Sequence, residues 1–368
     1  MRGPLDVYWH PAVLEHDTGS GLFEAPPSSL LAVPEPHPEN ADRVRNMRSV
    51  LERGPIAPSL RWLDGRLAEV EELEAVHPRA YVEEIRRACE QGRRLTATTV
   101  ASPGSWAALL AAAGTALAAA EAVLSGAARV AYALVRPPGH HAGPARADGY
   151  CFFNQCALVA ERALASGLAR VAVVDWDVHH GNGTQTCFYE RDDVLAVSVH
   201  MRHGAWGPSH PETGAPEEVG RGRGAGFTVN VELGLGAGDR AYRAAFEELV
   251  LPVLRQYRPE LIVGACGQDA SAFDPNGRQS VTMAGFHAIG RYVGEAAAEL
   301  CAGRLVLVQE GGYARTYAAY CLHATLEGVL GLPPALADPL AYLPDEGERW
   351  RPDLEAARAA LGRFWELA

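Results

Sequence analysis

The stretch "RVAVVDWDVHHGNG", residues 170–183, decides the fold. Val171, Ala172, Val173 and Val174 run on without the polar alternation of a half-exposed strand. Such a run reads as a strand covered on both faces, as in a parallel α/β sheet. Asp175, Asp177, His179 and His180 follow at once. Acids are costly to bury unless something compensates them. The question is what does so here.

Further apolar, β-rich runs lie on either side: "DVYW" near residue 6, "RVAYALV" (129–135), "VLAVSVH" (194–200), "FTVNVEL" (227–233), "ELIVGACG" (260–267) and "RLVLVQEGG" (304–312). Helical patterns separate most of them, among them 156–167, 239–257 and 283–303. Alternating strands and helices predict a mainly parallel sheet with helices on both faces. The first ~60 residues are rich in Pro, Gly and Ser and read as long loops shaping the rim of a site. After Gly331 come a Pro-rich bridge and a helix in the tail, 332–368, expected to pack on the same body or on a neighbouring subunit. The whole chain, 1–368, reads as one domain.

Hydrophobic residues make up 48% of the chain and charged residues 21%, as in a soluble enzyme, and the net charge of −12 argues against nucleic-acid binding. The seven cysteines show no CxxC and an odd count, which reads as free thiols in a reducing compartment. The segment from Trp106 to Leu124 is long and apolar, but it is mostly alanine and is interrupted by Glu121. It reads as a buried helix rather than a membrane span. The N-terminus lacks the apolar core of a signal peptide, so the expected location is the cytoplasm.

Four apolar runs end in polar clusters: His140 and His141, the Asp175–His180 group, Asp269, and Tyr313 after "QEGG". The carboxyl edge of a parallel sheet is where ligands bind. Asp177, His179 and Asp269 offer two carboxylates and an imidazole, and three protein ligands leave a position open, the pattern of a catalytic metal. Within a strand, residues 177 and 179 would point to the same side. The set suits Zn²⁺, while Fe²⁺, Co²⁺ or Mn²⁺ also fit. Such a metal is a Lewis acid and lowers the pKa of bound water to roughly 7. His140 and His141 are candidates to move the proton, and Tyr313 to hold an oxyanion.

"RPPGHHA", "GYCFFN", "DWDVHHGNGTQ" and "EGGY" together resemble the histone deacetylase superfamily, in the class II-like bacterial branch of histone deacetylase-like amidohydrolases and acetylpolyamine amidohydrolases. The resemblance runs from about Tyr8 to about residue 330. It implies an arginase/deacetylase α/β fold with a central, eight-stranded parallel sheet. It implies Zn²⁺ held by Asp177, His179 and Asp269, with Asp175 bonded to His140. His141 would be general base and acid, and Tyr313 would stabilise the oxyanion. Asn182 stands beside His141 where class I members have an aspartate, which implies a neutral His141 at rest. Arg43 matches an arginine near an internal exit channel. Structural K⁺ is implied around Asp175, Asp177, His179, Ser198 and Val199, and again near Phe188, Arg191 and Val194.

The substrate tunnel implied by the resemblance comprises Gly149, Tyr150, Asn276, Gly311 and a position near His210. Asn276 stands where polyamine-specific members can carry a glutamate. No acid precedes "SPGSW", where many members hold peptide backbone. The expected reaction is hydrolysis of an N-acyl amine: an acetylpolyamine, an acyl-lysine in a peptide, or a small-molecule amide. The alternatives are a binuclear metallohydrolase of the arginase type and a non-catalytic acyl-ligand scaffold. A homo-oligomer is expected, with neither nucleic acid nor membrane as partner.

Overall fold

The computed structural model describes residues 4–21, 28–204, 212–340 and 347–367. Eight strands form one sheet: β1 (Leu5–Trp9), β2 (Leu60–Asp64), β3 (Val130–Ala133), β4 (Val171–Asp175), β5 (Val194–Met201), β6 (Thr228–Leu233), β7 (Leu261–Cys266) and β8 (Leu305–Gln309). Their spatial order is β2-β1-β3-β8-β7-β4-β5-β6, and every neighbouring pair is parallel. The helices are α1 (Ala41–Arg53), α2 (Val70–Leu73), α3 (Arg79–Gln91), α4 (Ser105–Leu124), α5 (Gln155–Ala165), α6 (Asn182–Phe188), α7 (Asp239–Ala245), α8 (Leu251–Tyr257), α9 (Met283–Leu300), α10 (Tyr317–Leu330) and α11 (Arg351–Leu361). A π-helical turn, Phe246–Val250, joins α7 to α8, so the run read as one helix over 239–257 is continuous but underwound in the middle.

The continuous apolar runs follow from burial on both faces. In β4, Ala172 and Val174 face a core shared with α1 and α7 to α10, whereas Val171 and Val173 face one shared with α4 and α5. β8 repeats the pattern, with Leu305 and Leu307 on the first side and Val306 and Val308 on the second. Period-two alternation sends both sets inward because helices cover both faces. Helix α4 is long and apolar enough to cross a membrane, yet most of it is buried in the protein. Its alanines pack on β3, β1 and α5, as a close-packed core helix requires.

Among the elements that escaped the sequence reading are an edge strand and a helix near the N-terminus. Strand β2, "LRWLD", lies at the sheet edge and is only partly buried, so its apolar signal is weak. Arg61 on it pairs with Asp6 at 2.6 Å. Helix α1 lies inside the segment read as loops. Asn40 caps it by accepting a hydrogen bond from the Asp42 amide at 3.0 Å, and Val44, Met47 and Leu51 form its buried stripe. That cap and that spacing were visible in the sequence. In the tail, α11 packs across β6 of its own sheet, where Asp353 accepts from the Gly234 amide at 2.8 Å and pairs with Arg202 at 2.9 Å.

Candidate active site

The four strands whose ends carry the polar clusters, β3, β8, β7 and β4, are neighbours in the middle of the sheet. Their adjacency brings His140 and His141, Glu310 and Tyr313, Asp269, and Asp175 to His179 onto one rim. Strand β4 stops at Asp175, so Asp177 and His179 lie in the turn beyond it. Strand alternation therefore does not align them, contrary to the sequence argument. The turn is held by its own acids instead. Asp175 accepts from the Asp177 amide at 3.0 Å, Asp177 from the His179 amide at 3.0 Å, and Asp269 from the Val178 amide at 2.8 Å.

Nδ1 of His179 lies 3.1 Å from an Asp177 oxygen and 3.0 Å from an Asp269 oxygen, with all three side chains buried. Burial, then the charge on Asp177, pushes the Asp269 carboxyl up to about 8. Holding two acids around one imidazole in a dry site is costly for the protein alone. The donor set, two oxygens and one nitrogen within 4.8 Å of one another, fits one divalent cation that would offset that cost. Gly311 sits directly beneath it. Its amide donates to Asp177 at 2.8 Å, and a Cβ there would lie 2.2 Å from an Asp269 oxygen. Gly311 is thus a floor for the ligands at the base of the site.

The tandem histidines differ in their partners. Nδ1 of His140 lies 2.9 Å from Asp175. Burial opposes a charge on His140, but Asp177 and Asp175 carry it well above the ordinary imidazole range. His141 instead has Nδ1 2.8 Å from the amide oxygen of Asn182, whose Nδ2 donates to Asp148 at 3.4 Å. An amide oxygen only accepts, so Nδ1 of His141 is the donor of this bond and Nε2 is the nitrogen left to exchange a proton in the cavity. The relay His141–Asn182–Asp148 ends on an acid that the sequence reading did not single out.

His141, His179 and Tyr313 line one cavity of about 270 Å³, together with Gly149, Tyr150 and Asn276. Burial raises the Tyr313 phenol well above its ordinary range, so it is a donor at neutral pH. Tyr150 meets Tyr313 edge to face at 5.7 Å and accepts from Asn276 at 3.2 Å. Tyr150 holds a left-handed backbone (φ 69°), a strain of about 1–3 kcal/mol that concentrates at functional sites. Gly149 before it also has positive φ, and a Cβ there would strike the His141 ring at 2.2 Å. Arg43 is fully buried beneath Tyr313, with its guanidinium 5.3 Å from the ring centre and bonds to Glu39 at 3.2 Å and the Glu310 carbonyl at 3.0 Å. His210, and Trp206 beside it, lie outside the described residues.

The profile of the histone deacetylase domain matches residues 37–329. The chain belongs to the histone deacetylase family. It is a hydrolytic deacetylase of that family. Over 347 residues it is 53% identical to Histone deacetylase 8 of Arabidopsis thaliana, covering 93% of this chain and 92% of that one. Over 306 residues it is 42% identical to the Histone deacetylase-like amidohydrolase of Pseudomonas aeruginosa, covering 83% and 80%. The crystal structure of the HDA15 HD domain superposes with a TM-score of 0.84 at 31% identity, covering 99% of this chain and 95% of that one.

Several site-supporting groups of this deacetylase were missed in the sequence because their partners are remote. Glu310 accepts from the amides of Gly139 and His140 at 2.7 and 3.1 Å and so shapes the tandem-histidine loop. Asp274 accepts from the amides of Tyr313 and Ala314 at 2.7 and 3.1 Å, and from those of Asn276 and Gly277 at 2.9 and 3.1 Å. It thereby ties the loop after β7 to the loop after β8. His140, Cys151 and Glu310 form a second convergent group, but Oε2 of Glu310 is taken by amides and burial raises the Cys151 thiol well above its ordinary range. It is a poor second metal centre. Of the residues named for K⁺, Ser198 pairs in register with Asp175, followed by Val199, while Phe188, Arg191 and Val194 cluster where α6 leads into β5.

Proposed function

We propose that this deacetylase is a zinc amidohydrolase that removes an acyl group from an amine, with Asp177, His179 and Asp269 as the ligands. The observation that carries the reading is that His141, Tyr313 and the ligand His179 line one cavity over that convergent donor set. When bound, the cation supplies Lewis acidity and lowers the pKa of water at the site. Nε2 of His141 takes the proton from the attacking water. The Tyr313 hydroxyl donates to the carbonyl oxygen as charge builds there. His141 then returns the proton to the amine as the C–N bond breaks, leaving a carboxylic acid and a free amine. His140, paired with Asp175, holds the other half of the tandem pair in place behind His141. K⁺ at the two groups named above would be held by oxygens, the first group lying beside the turn that carries Asp177 and His179.

The substrate is an acetylpolyamine, an acyl-lysine or a small-molecule amide. The test is a hydrolysis panel of such amides on zinc-loaded enzyme with Tyr313→Phe beside it. Removing one oxyanion donor costs about 10²–10³ in kcat. Tyr313→Phe should lose that much while keeping its zinc. Equal turnover by both proteins would remove Tyr313 from the chemistry, and tight ligand binding without turnover, unchanged by Tyr313→Phe, would favour an acyl-ligand scaffold.

A further inference from the structure

The cavity that holds His141 and Tyr313 is lined at its mouth by Met201, Arg202, His203, Leu235, Asn276 and Arg278. Among the described lining residues there is no carboxylate. That is unexpected in a chain of net charge −12. The two guanidinium groups are not equivalent. Arg202 is already neutralised, by Glu232 and Asp353, each at 2.9 Å. Arg278 is exposed, and its Nη1 donates to two backbone carbonyls, Pro275 at 2.9 Å and Gly277 at 2.6 Å. Carbonyls hold the group in position without cancelling its charge. Among the described residues no carboxylate lies within ion-pair distance of it.

We infer that the amine half of the substrate ends in a carboxylate, and that Arg278 binds it at the mouth of the cavity. The inference rests on the deacylation reading above and narrows its substrate class. Leu235, which is 65% exposed, and Met201 offer an apolar wall to the alkyl stem between the amide and the carboxylate. The planar fork of a guanidinium suits a carboxylate in two parallel hydrogen bonds, with Nε and Nη2 as donors. A cationic tail would meet like charge at the same place, and no described lining acid would compensate it. Asn276, beside Arg278, presents an uncharged amide that bonds to Tyr150 and adds no selectivity for a cation.

The test compares three N-acetyl series of matched chain length on the zinc-loaded enzyme: acetamidoalkanoates, N-acetyl diamines and N-alkylacetamides. The carboxylates should be preferred over the neutral amides by about ten-fold in kcat/KM, mostly through KM, because a partly exposed charge-assisted pair is of that order. The diamines should be the poorest. Arg278→Gln should lower kcat/KM about ten-fold more for carboxylates than for neutral amides, Arg278→Lys should restore part of the difference, and Arg278→Glu should favour the diamines. Free ω-amino acids, the products, should inhibit wild type more tightly than Arg278→Gln. A wild-type preference for diamines, or a carboxylate preference that survives Arg278→Gln, overturns the assignment. Hydrolysis of the neutral amides without a carboxylate preference sinks this inference alone. Failure to hydrolyse any series sinks the deacylation reading and the inference with it.

Discussion

His141 bonds to an amide where a carboxylate would strengthen its basicity, and the structure supplies a local reason. Asn182 stands 3.4 Å from Asp148, so an aspartate at 182 would face a second buried acid. Two carboxylates that close cannot both ionise cheaply. Asn182→Asp should therefore destabilise the protein by about 1–3 kcal/mol, the cost of an unsatisfied or repelled buried polar group. The exchanged double variant, Asp148→Asn with Asn182→Asp, should recover most of that loss. It should also move the acidic limb of the kcat/KM profile, because His141 then pairs with a charge. Denaturant titration of the single and double variants checks the coupling. Additive losses would mean that the two side chains do not interact.

The loops carrying the chemistry are anchored by elements outside the sheet, and the turn between α2 and α3 is one such anchor. Its His77 donates from Nδ1 to the Pro144 carbonyl at 3.0 Å and accepts at Nε2 from the Asn154 amide at 2.9 Å. Asn154 in turn caps α5 and donates to the Ala142 carbonyl, just past the tandem histidines. A proton on Nε2 would face an N–H, and burial lowers His77 to about 4. The folded value lies below the unfolded one near 6.5, so the contribution of His77 is present at neutral pH and is lost as pH falls from 6.5 through 4. The gap amounts to about 3 kcal/mol. The stability difference between wild type and His77→Gln should shrink by about that much between pH 7 and pH 4. A constant difference across that range would show that His77 stays neutral in both states or charged in both.

At the scale of the molecule, the candidate metal joins the ends of β4 and β7, which already pair along their length. The strands do not depend on it, since both faces of the sheet are covered. Chelation should therefore leave the far-ultraviolet dichroism almost unchanged and lower Tm. A ligand held at a thousand times its Kd stabilises by about 4 kcal/mol. The loss should be regained on adding Zn²⁺ to wild type and not to Asp269→Ala. Proteolysis of the chelated enzyme should begin in the turns at 176–181 and 267–281, which the cation would brace. Loss of all helical signal on chelation would instead make the metal part of the folding core.

The sheet was legible because burial on both faces leaves a mark in one dimension. Each of β3, β4, β7 and β8 is an apolar run that leads into a polar cluster, and that ending points to the reactive rim. Edge strand β2 left no such mark, being half in solvent. Which strands stand side by side was not legible. Periodicity reports the environment of a segment, not the identity of its neighbour, and β8 enters between β3 and β7 from the far end of the chain. Tertiary structure alone therefore brought Glu310 under His140, Asp274 under Tyr313 and Asp148 behind Asn182. It also set Gly311 below the ligands and Arg278 at the mouth, because hydrogen bonds and charge pairs act through space between residues that the sequence keeps far apart.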